Sequence, residues 1–352
     1  MRCLKRFFCM IAFLIMLVPV IVDGSSTIVM DLDSGRLLYE NNSQEKKLIA
    51  STTKIMTCLI VLENSNLNSI VTVGEEILPM YGTNIYLEVG EKIKVIDLLY
   101  GLMLRSGNDA AVVLANYISG DEEKFVALMN QKAEELGMKN THFNNSHGLD
   151  ENTQNYSTAY DMALLSKYAY TNKVYRQIVS TKKYFFSSSL KPYSWYNRMR
   201  LLHDYKYCIG GKNGYTPKAG KTLVSLAEKN HMIITIVTLD DSDIYMHHKQ
   251  LYEKYFLDYH LYTIVDKDHF NLGYHQKNKY YIKASFSYPL QKQEIDKVDT
   301  LIHFYSAENK KHEVGEIQVL LNHDTIGVIP IYQTQKKKDS SIFQKIKKLF
   351  LR

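Results

Sequence analysis

Three short clusters in this sequence carry side chains able to make and break an acyl bond. Ser51-Thr52-Thr53-Lys54 sets a hydroxyl and an amine three residues apart, a spacing that places two side chains on one helix face. A serine hydroxyl is a weak nucleophile until a base takes its proton. Lys54 can be that base only where burial or a second cation drives its pKa far below the free value. Ser106-Gly107-Asn108 adds a hydroxyl able to relay a proton between Lys54 and a leaving amine, and an amide able to hold a substrate carbonyl. Lys212-Asn213-Gly214 adds a cation that would attract a carboxylate and help depress Lys54, beside a glycine that lets backbone approach a substrate closely. Each triplet also has a bland reading: a capped helix with a surface lysine, a helix-breaking turn, a glycine-rich loop.

The elements around these triplets decide between the readings. Ser51 opens a predicted helix running to Glu63, and Ser106–Asn108 falls in the break between helices over Val95–Leu104 and Asp109–Ile118. Lys212–Gly214 precedes a strand, Thr222–Ala227, which forms a hairpin with Met232–Leu239 across Lys229-Asn230. Near the start of the chain a second hairpin pairs Ser26–Met30 with Arg36–Glu40 around Asp33-Ser34-Gly35. An amphipathic helix is expected over Glu122–Leu136, ended by Gly137, and a further helix over Ser157–Tyr170, capped near Ser157 or Thr158. Strands at both ends with helices between them predict an α+β domain over 25–262. Its antiparallel sheet is built from both chain ends and covered by helices. From Thr263 the texture changes to short strands, Tyr280–Tyr288, Thr300–Tyr305, Glu316–Asn322 and Thr325–Tyr332, which predict a small all-β domain over 263–335.

The ends of the chain point to a compartment. Arg2, Lys5 and Arg6 precede an apolar run from Phe7 to Val22, with small residues at Val22 and Gly24. Residues 1–24 read as an export signal, placing the rest outside the cytoplasm; a retained membrane anchor is the other reading. Residues 336–352 intersperse lysines with Ile342, Phe343, Ile346, Leu349 and Phe350, the pattern of a basic amphipathic helix lying on an anionic membrane. A solvated tail is its bland counterpart. The charge of +6 fits an anionic wall or membrane. The 27 tyrosines form no stacking motif for nucleic acid. Of the four cysteines only Cys58 and Cys208 lie beyond the signal. They make no disulfide framework and no zinc spacing, so no metal or cofactor is expected. Gly214 to Thr222 imitates a phosphate loop, but the spacer is one residue too long, and a strand follows where a helix is required.

Serine-x-x-lysine, serine-x-asparagine and lysine-x-glycine in this order are the triple of penicillin-recognising serine enzymes. With Ala50–Thr57, Leu104–Ala111, Asn145–Leu149, Tyr156–Ala159 and Gly214–Thr216, the chain resembles the D-alanyl-D-alanine carboxypeptidases, the low-molecular-weight penicillin-binding proteins. The likeness is strong over residues 25–260 and extends to the C-terminal part only in outline. It implies the β-lactamase/DD-peptidase-like fold and an exported enzyme of the bacterial cell wall that trims peptidoglycan stem peptides ending in D-Ala-D-Ala. β-Lactams would be its covalent inhibitors. Ser51 would be nucleophile, Lys54 base, Ser106 and Asn108 cleft residues, and Lys212 the polarising cation. The N–H groups of Ser51 and Tyr215 would form the oxyanion hole, and Arg198 would help hold the terminal carboxylate. His147 lies in a family-like loop and reads as structural. Asn213 stands where the family has threonine, whose hydroxyl grips a carboxylate; Thr216 is a candidate to compensate. Met199 replaces a common asparagine. Two other readings stand beside this one: a serine β-lactamase, with Glu151 as its candidate activator of water, and a non-catalytic wall-binding protein on the same fold.

Overall fold

The computed structural model describes residues 25–272, 280–309 and 312–333. The expected export signal and basic tail lie outside them. Among the described residues no helix is long and apolar enough to cross a membrane. The chain divides into two compact units, Met1–Leu257 and Asp258–Arg352.

The first unit is built on a five-stranded antiparallel sheet. Its strands are β1 (Ser26–Asp31), β2 (Leu37–Asn41), β3 (Cys208–Thr216), β4 (Gly220–Lys229) and β5 (Met232–Leu239), in the order β2-β1-β5-β4-β3. β1 lies beside β5, with Ile28 opposite Val237, so the two ends of the segment meet in one sheet. β4 and β5 form a hairpin through Asn230 and His231, both with positive φ. β3 is an edge strand, so one side of its backbone carries no strand partner.

Helices cover the sheet. The central one, α1 (Lys54–Asn64), is buried from Lys54 through Val61. Ile55, Met56, Cys58, Leu59, Ile60 and Val61 leave it almost no polar face, and a helix apolar all round belongs in a core. Around it lie α2 (Val95–Tyr100), α3 (Asn108–Ser119), α4 (Glu122–Glu135), α5 (Ala159–Thr171) and α6 (Lys173–Ser180), while α7 (Ile244–Asp258) packs on the opposite face of the sheet, against Ser225 and Thr238. Thr158 caps α5, its hydroxyl accepting the Asp161 N–H at 3.0 Å. Sequence periodicity missed α6, α7 and the hairpin Lys183–Ser187/Pro192–Tyr196. That hairpin alternates buried Tyr193 and Trp195 with exposed Pro192, Ser194 and Tyr196 over only five residues per strand. Cys58 and Cys208 are both buried free thiols.

The second unit begins before the Thr263 read from texture, because His260–Val265 is already a strand, paired with Phe286–Leu290. A four-stranded sheet joins Tyr280–Tyr281, Asp324–Gln333, Glu313–Leu321 and Val298–Asn309, in that order. Ile317, Val319, Ile329 and Ile331 form its core with Val265 and Ile282. The single strand expected over Tyr280–Tyr288 is two. The chain bends between them where Ser285 Oγ accepts from Lys267 N–H at 3.0 Å and donates to Asp266 at 3.2 Å.

Candidate active site

Ser51 does not sit inside an α-helix. It lies in a 3₁₀ turn, Ala50–Thr53, that leads into α1. Ala50 before it has φ 45°, a region costly for a residue with a Cβ, and is held there by burial. Gly214 of β3 passes so close that a Cβ there would lie 2.8 Å from Ser51 N and 2.6 Å from Thr222 Oγ1. Only glycine lets this sheet edge approach the turn.

Lys54 is fully buried at the first residue of α1. Its Nζ lies 2.5 Å from His147 O, 2.7 Å from Asn108 Oδ1 and 3.2 Å from Ser51 Oγ. Asn108 Nδ2 donates to Tyr81 O at 2.8 Å, which fixes the amide with Oδ1 toward the lysine. A neutral amine has two N–H bonds and one lone pair. A protonated Nζ donates to all three oxygens; in the neutral form the two shorter contacts take both N–H bonds and the lone pair is left for the hydroxyl of Ser51. Burial, then the charge of Lys212, hold Lys54 well below the ordinary lysine value, against a smaller opposing pull from Asp109. Asp109 is itself committed, accepting from the N–H groups of Ile85 and Leu87 and so tying the 81–87 loop to α3.

Lys212 is buried on β3 and donates to Asn213 O at 2.7 Å. Burial, then the Arg198 guanidinium, push it down to about 7. The fold therefore links three cationic side chains from distant segments in series, Arg198 acting on Lys212 and Lys212 on Lys54. Arg198 is exposed, with Nη1 3.4 Å from Thr83 Oγ1. Ser106 follows a π-helical turn, Gly101–Arg105, and adopts φ 64°. Such turns interrupt helices where a side chain must be re-aimed. The Ser106 side chain is half-buried and hydrogen-bonds to none of the described residues. Asn213 is half-buried, opposite Leu223, and Tyr215 is 64% exposed, opposite Lys221. The Thr216 hydroxyl is already engaged: it donates to Asp150 Oδ2 at 2.5 Å and accepts from Ala219 N–H at 3.0 Å. Met199 is buried against Gly211, where a Cβ would meet its Cε at 2.8 Å. Glu151 is exposed and neighbours the Tyr81 phenol.

Two participants escaped the sequence reading. The His147 ring is buried and accepts Leu149 N–H at Nδ1, at 3.1 Å, as a structural residue does. Its main-chain carbonyl, however, is the nearest acceptor for Lys54. Tyr81 likewise acts through its carbonyl, on Asn108. Main-chain acceptors carry no residue-type signal. Among the described residues no His, Cys, Asp and Glu cluster could hold a metal ion.

Residues 17–243 match the family of D-alanyl-D-alanine carboxypeptidases, peptidase family S11. The chain is 39% identical over 216 residues to the D-alanyl-D-alanine carboxypeptidase DacF of Bacillus subtilis, covering 60% of this chain and 55% of that protein. To DacC of Escherichia coli it is 38% identical over 232 residues, covering 62% and 56%. The match thus spans about half the length of these curated relatives. The crystal structure of penicillin binding protein 5 from Haemophilus influenzae superposes with a TM-score of 0.75 at 26% identity, covering 91% of this chain and 99% of that one. The match covers well over half of the sequence, and the chain belongs to the D-alanyl-D-alanine carboxypeptidase family.

Proposed function

We propose that this protein is a serine-type D-Ala-D-Ala carboxypeptidase that removes the terminal D-alanine from peptidoglycan stem peptides. The observation that carries this reading is the buried Lys54 amine, whose N–H bonds are taken by Asn108 and His147 while Ser51 faces the remaining lone pair. Lys54 takes the Ser51 proton, and Oγ attacks the carbonyl between the two D-alanines. The tetrahedral oxyanion is held by the N–H groups of Ser51 and Tyr215. The C–N bond breaks, and the leaving amine takes a proton relayed through Ser106. Water then attacks the ester, returning Ser51 and releasing the shortened peptide. Lys212, Arg198 and Asn213 receive the terminal carboxylate, and Asn108 positions the substrate amide. A β-lactam acylates the same serine and stays.

The working place of this enzyme is the outer face of the cytoplasmic membrane, reached through a signal at 1–24. Residues 25–257 would form the catalytic domain, and the unit that begins at Asp258 would be the β domain. Residues 336–352 would touch the anionic lipid surface. The test is release of D-alanine from a pentapeptide: activity in wild type, absent in Ser51→Ala, supports the reading. No release by wild type, with no penicillin adduct, would indicate a binding protein instead. Rapid turnover of penicillin would indicate a β-lactamase.

A further inference from the structure

The acceptor nearest to Lys54 is main chain, so a loop backbone must be fixed to a fraction of an ångström for the base to be aimed. The loop around His147 is fixed from two sides. On the α1 side, consecutive carbonyls meet consecutive turns of the helix: Thr57 Oγ1 donates to Ser146 O at 2.6 Å, and Lys54 Nζ to His147 O at 2.5 Å. Asn155 Nδ2 adds a bond to Thr53 Oγ1 at 3.0 Å and another to Asn145 O at 3.0 Å. On the opposite side stands one carboxylate oxygen. Glu122 Oε1, in the first turn of α4, accepts from Ser146 N–H at 2.8 Å and Ser146 Oγ–H at 2.6 Å, and lies 3.8 Å from His147 Nε2. Since His147 Nδ1 accepts from Leu149 N–H, the ring proton is on Nε2 and points toward Glu122.

We propose that Glu122 is a positioning residue for the base: by gripping Ser146 and facing His147 it presses the His147 carbonyl onto Lys54 Nζ. This rests on the Ser51–Lys54 reading above. Glu122 touches neither substrate nor the reacting atoms. The charged groups acting on Lys54 directly are Lys212 and Asp109, with the neutral His147 ring beside it. Hydrogen bonds to an ionised carboxylate are stronger than those between neutral groups, and two of them on one residue hold the loop register. A shift of the carbonyl by about an ångström can cost up to ~10²-fold in rate.

The neighbouring residue supplies the control. Asp121 caps the same helix, its Oδ1 accepting Lys124 N–H at 2.8 Å, and touches nothing in the loop. The rate of penicillin acylation is measured against pH, together with thermal midpoints, for wild type, Glu122→Ala, Glu122→Gln and Asp121→Ala. Glu122→Ala is expected to lower the acylation plateau ~10- to 10²-fold. It should also move the midpoint of the pH profile downward, because losing the carbonyl acceptor disfavours the ammonium. Glu122→Gln keeps an acceptor oxygen and should recover most of the rate. Asp121→Ala should lower the thermal midpoint through loss of the cap, with the wild-type rate and pH midpoint. A Glu122→Ala profile matching either wild type or Asp121→Ala overturns the proposal. Wild type that is not acylated at all defeats the Ser51–Lys54 reading instead.

Discussion

Among the described residues of the first unit, the Lys54 and His248 clusters are both buried, polar and built around a basic side chain, and one of the pair has the makings of a reaction site. In the Lys54 cluster, the amine lies 3.2 Å from a half-buried serine at the edge of the sheet. In the His248 cluster, Nδ1 lies 2.7 Å from Ser225 Oγ and Nε2 lies 2.9 Å from Thr238 Oγ1, with Tyr252 OH 2.7 Å from the same Ser225 Oγ. By distance alone the His248 cluster is the better imitation of a serine hydrolase. Yet Ser225, Thr238, His248 and Tyr252 are all fully buried between β4, β5 and α7. Every polar atom of His248 is satisfied within the cluster, and burial pushes its pKa down to about 3, so it stays neutral and inert. The Lys54 cluster differs in access and in surplus charge: a second lysine, and an arginine beyond it, crowd a small volume beside open backbone. Polar proximity builds core; proximity joined to unrelieved like charge and an exposed approach builds a site.

The sharpest way to break this comparison is to swap serines. Ser51→Ala should reduce penicillin acylation and D-alanine release by at least ~10³-fold, while Ser225→Ala should leave both near wild type and lower the thermal midpoint. An active Ser51→Ala protein would refute the assignment. Next comes the base. Lys54→Arg places a group that stays charged in the same position, and acylation should fall ~10²- to 10⁴-fold. A variant within a few-fold of wild type would show that Lys54 need not lose its proton.

Lys212 gives a smaller, two-sided effect. Lys212→Met should lower kcat/KM on the peptide by ~10- to 10²-fold, the loss of a hydrogen bond to a charged partner, yet raise the thermal midpoint. The sign follows from the pKa. With its folded value near 7 against an ordinary 10.5, the buried charge destabilises the native state fully below about pH 7, and less as pH climbs toward the ordinary value. The stabilisation by Lys212→Met should therefore be larger in mild acid than in alkali; equal gains at both would contradict it. Arg198→Ala, by removing a like charge, should raise the Lys212 pKa and carry the alkaline limb of kcat/KM upward.

The least effect is expected at His248. Its folded pKa of about 3 lies below the ordinary 6.5. Stability should be lost as pH falls from the ordinary value toward the folded one, by up to about 1.4 kcal/mol per pH unit. His248→Gln should flatten that slope without changing acylation. An unchanged slope would mean the buried imidazole takes up protons freely.

These contrasts also explain what the sequence could and could not tell. The sheet from two chain ends was legible because β1, β4 and β5 are apolar runs bounded by turn residues. The triplets at Ser51, Ser106 and Lys212 were legible because their side chains are chemically unusual together. The exact local conformations were not. Ala50 and Ser106 hold positive φ through tertiary packing, which no propensity encodes, and the 3₁₀ and π turns that aim Ser51 and Ser106 follow from that packing. The carbonyls of His147 and Tyr81 left no trace in residue type. The Thr216 hydroxyl is a candidate by residue type alone, and its bond to Asp150 could not be read from the sequence.

The most direct test of the account is to locate the covalent adduct. The protein is incubated with benzylpenicillin near neutral pH, digested, and the modified peptide sequenced by mass spectrometry. A penicilloyl ester is expected on Ser51, forming ~10²- to 10⁴-fold more slowly when Lys54 is replaced by arginine. An adduct on another serine, or one on Ser51 that forms equally fast without the Lys54 amine, would contradict it.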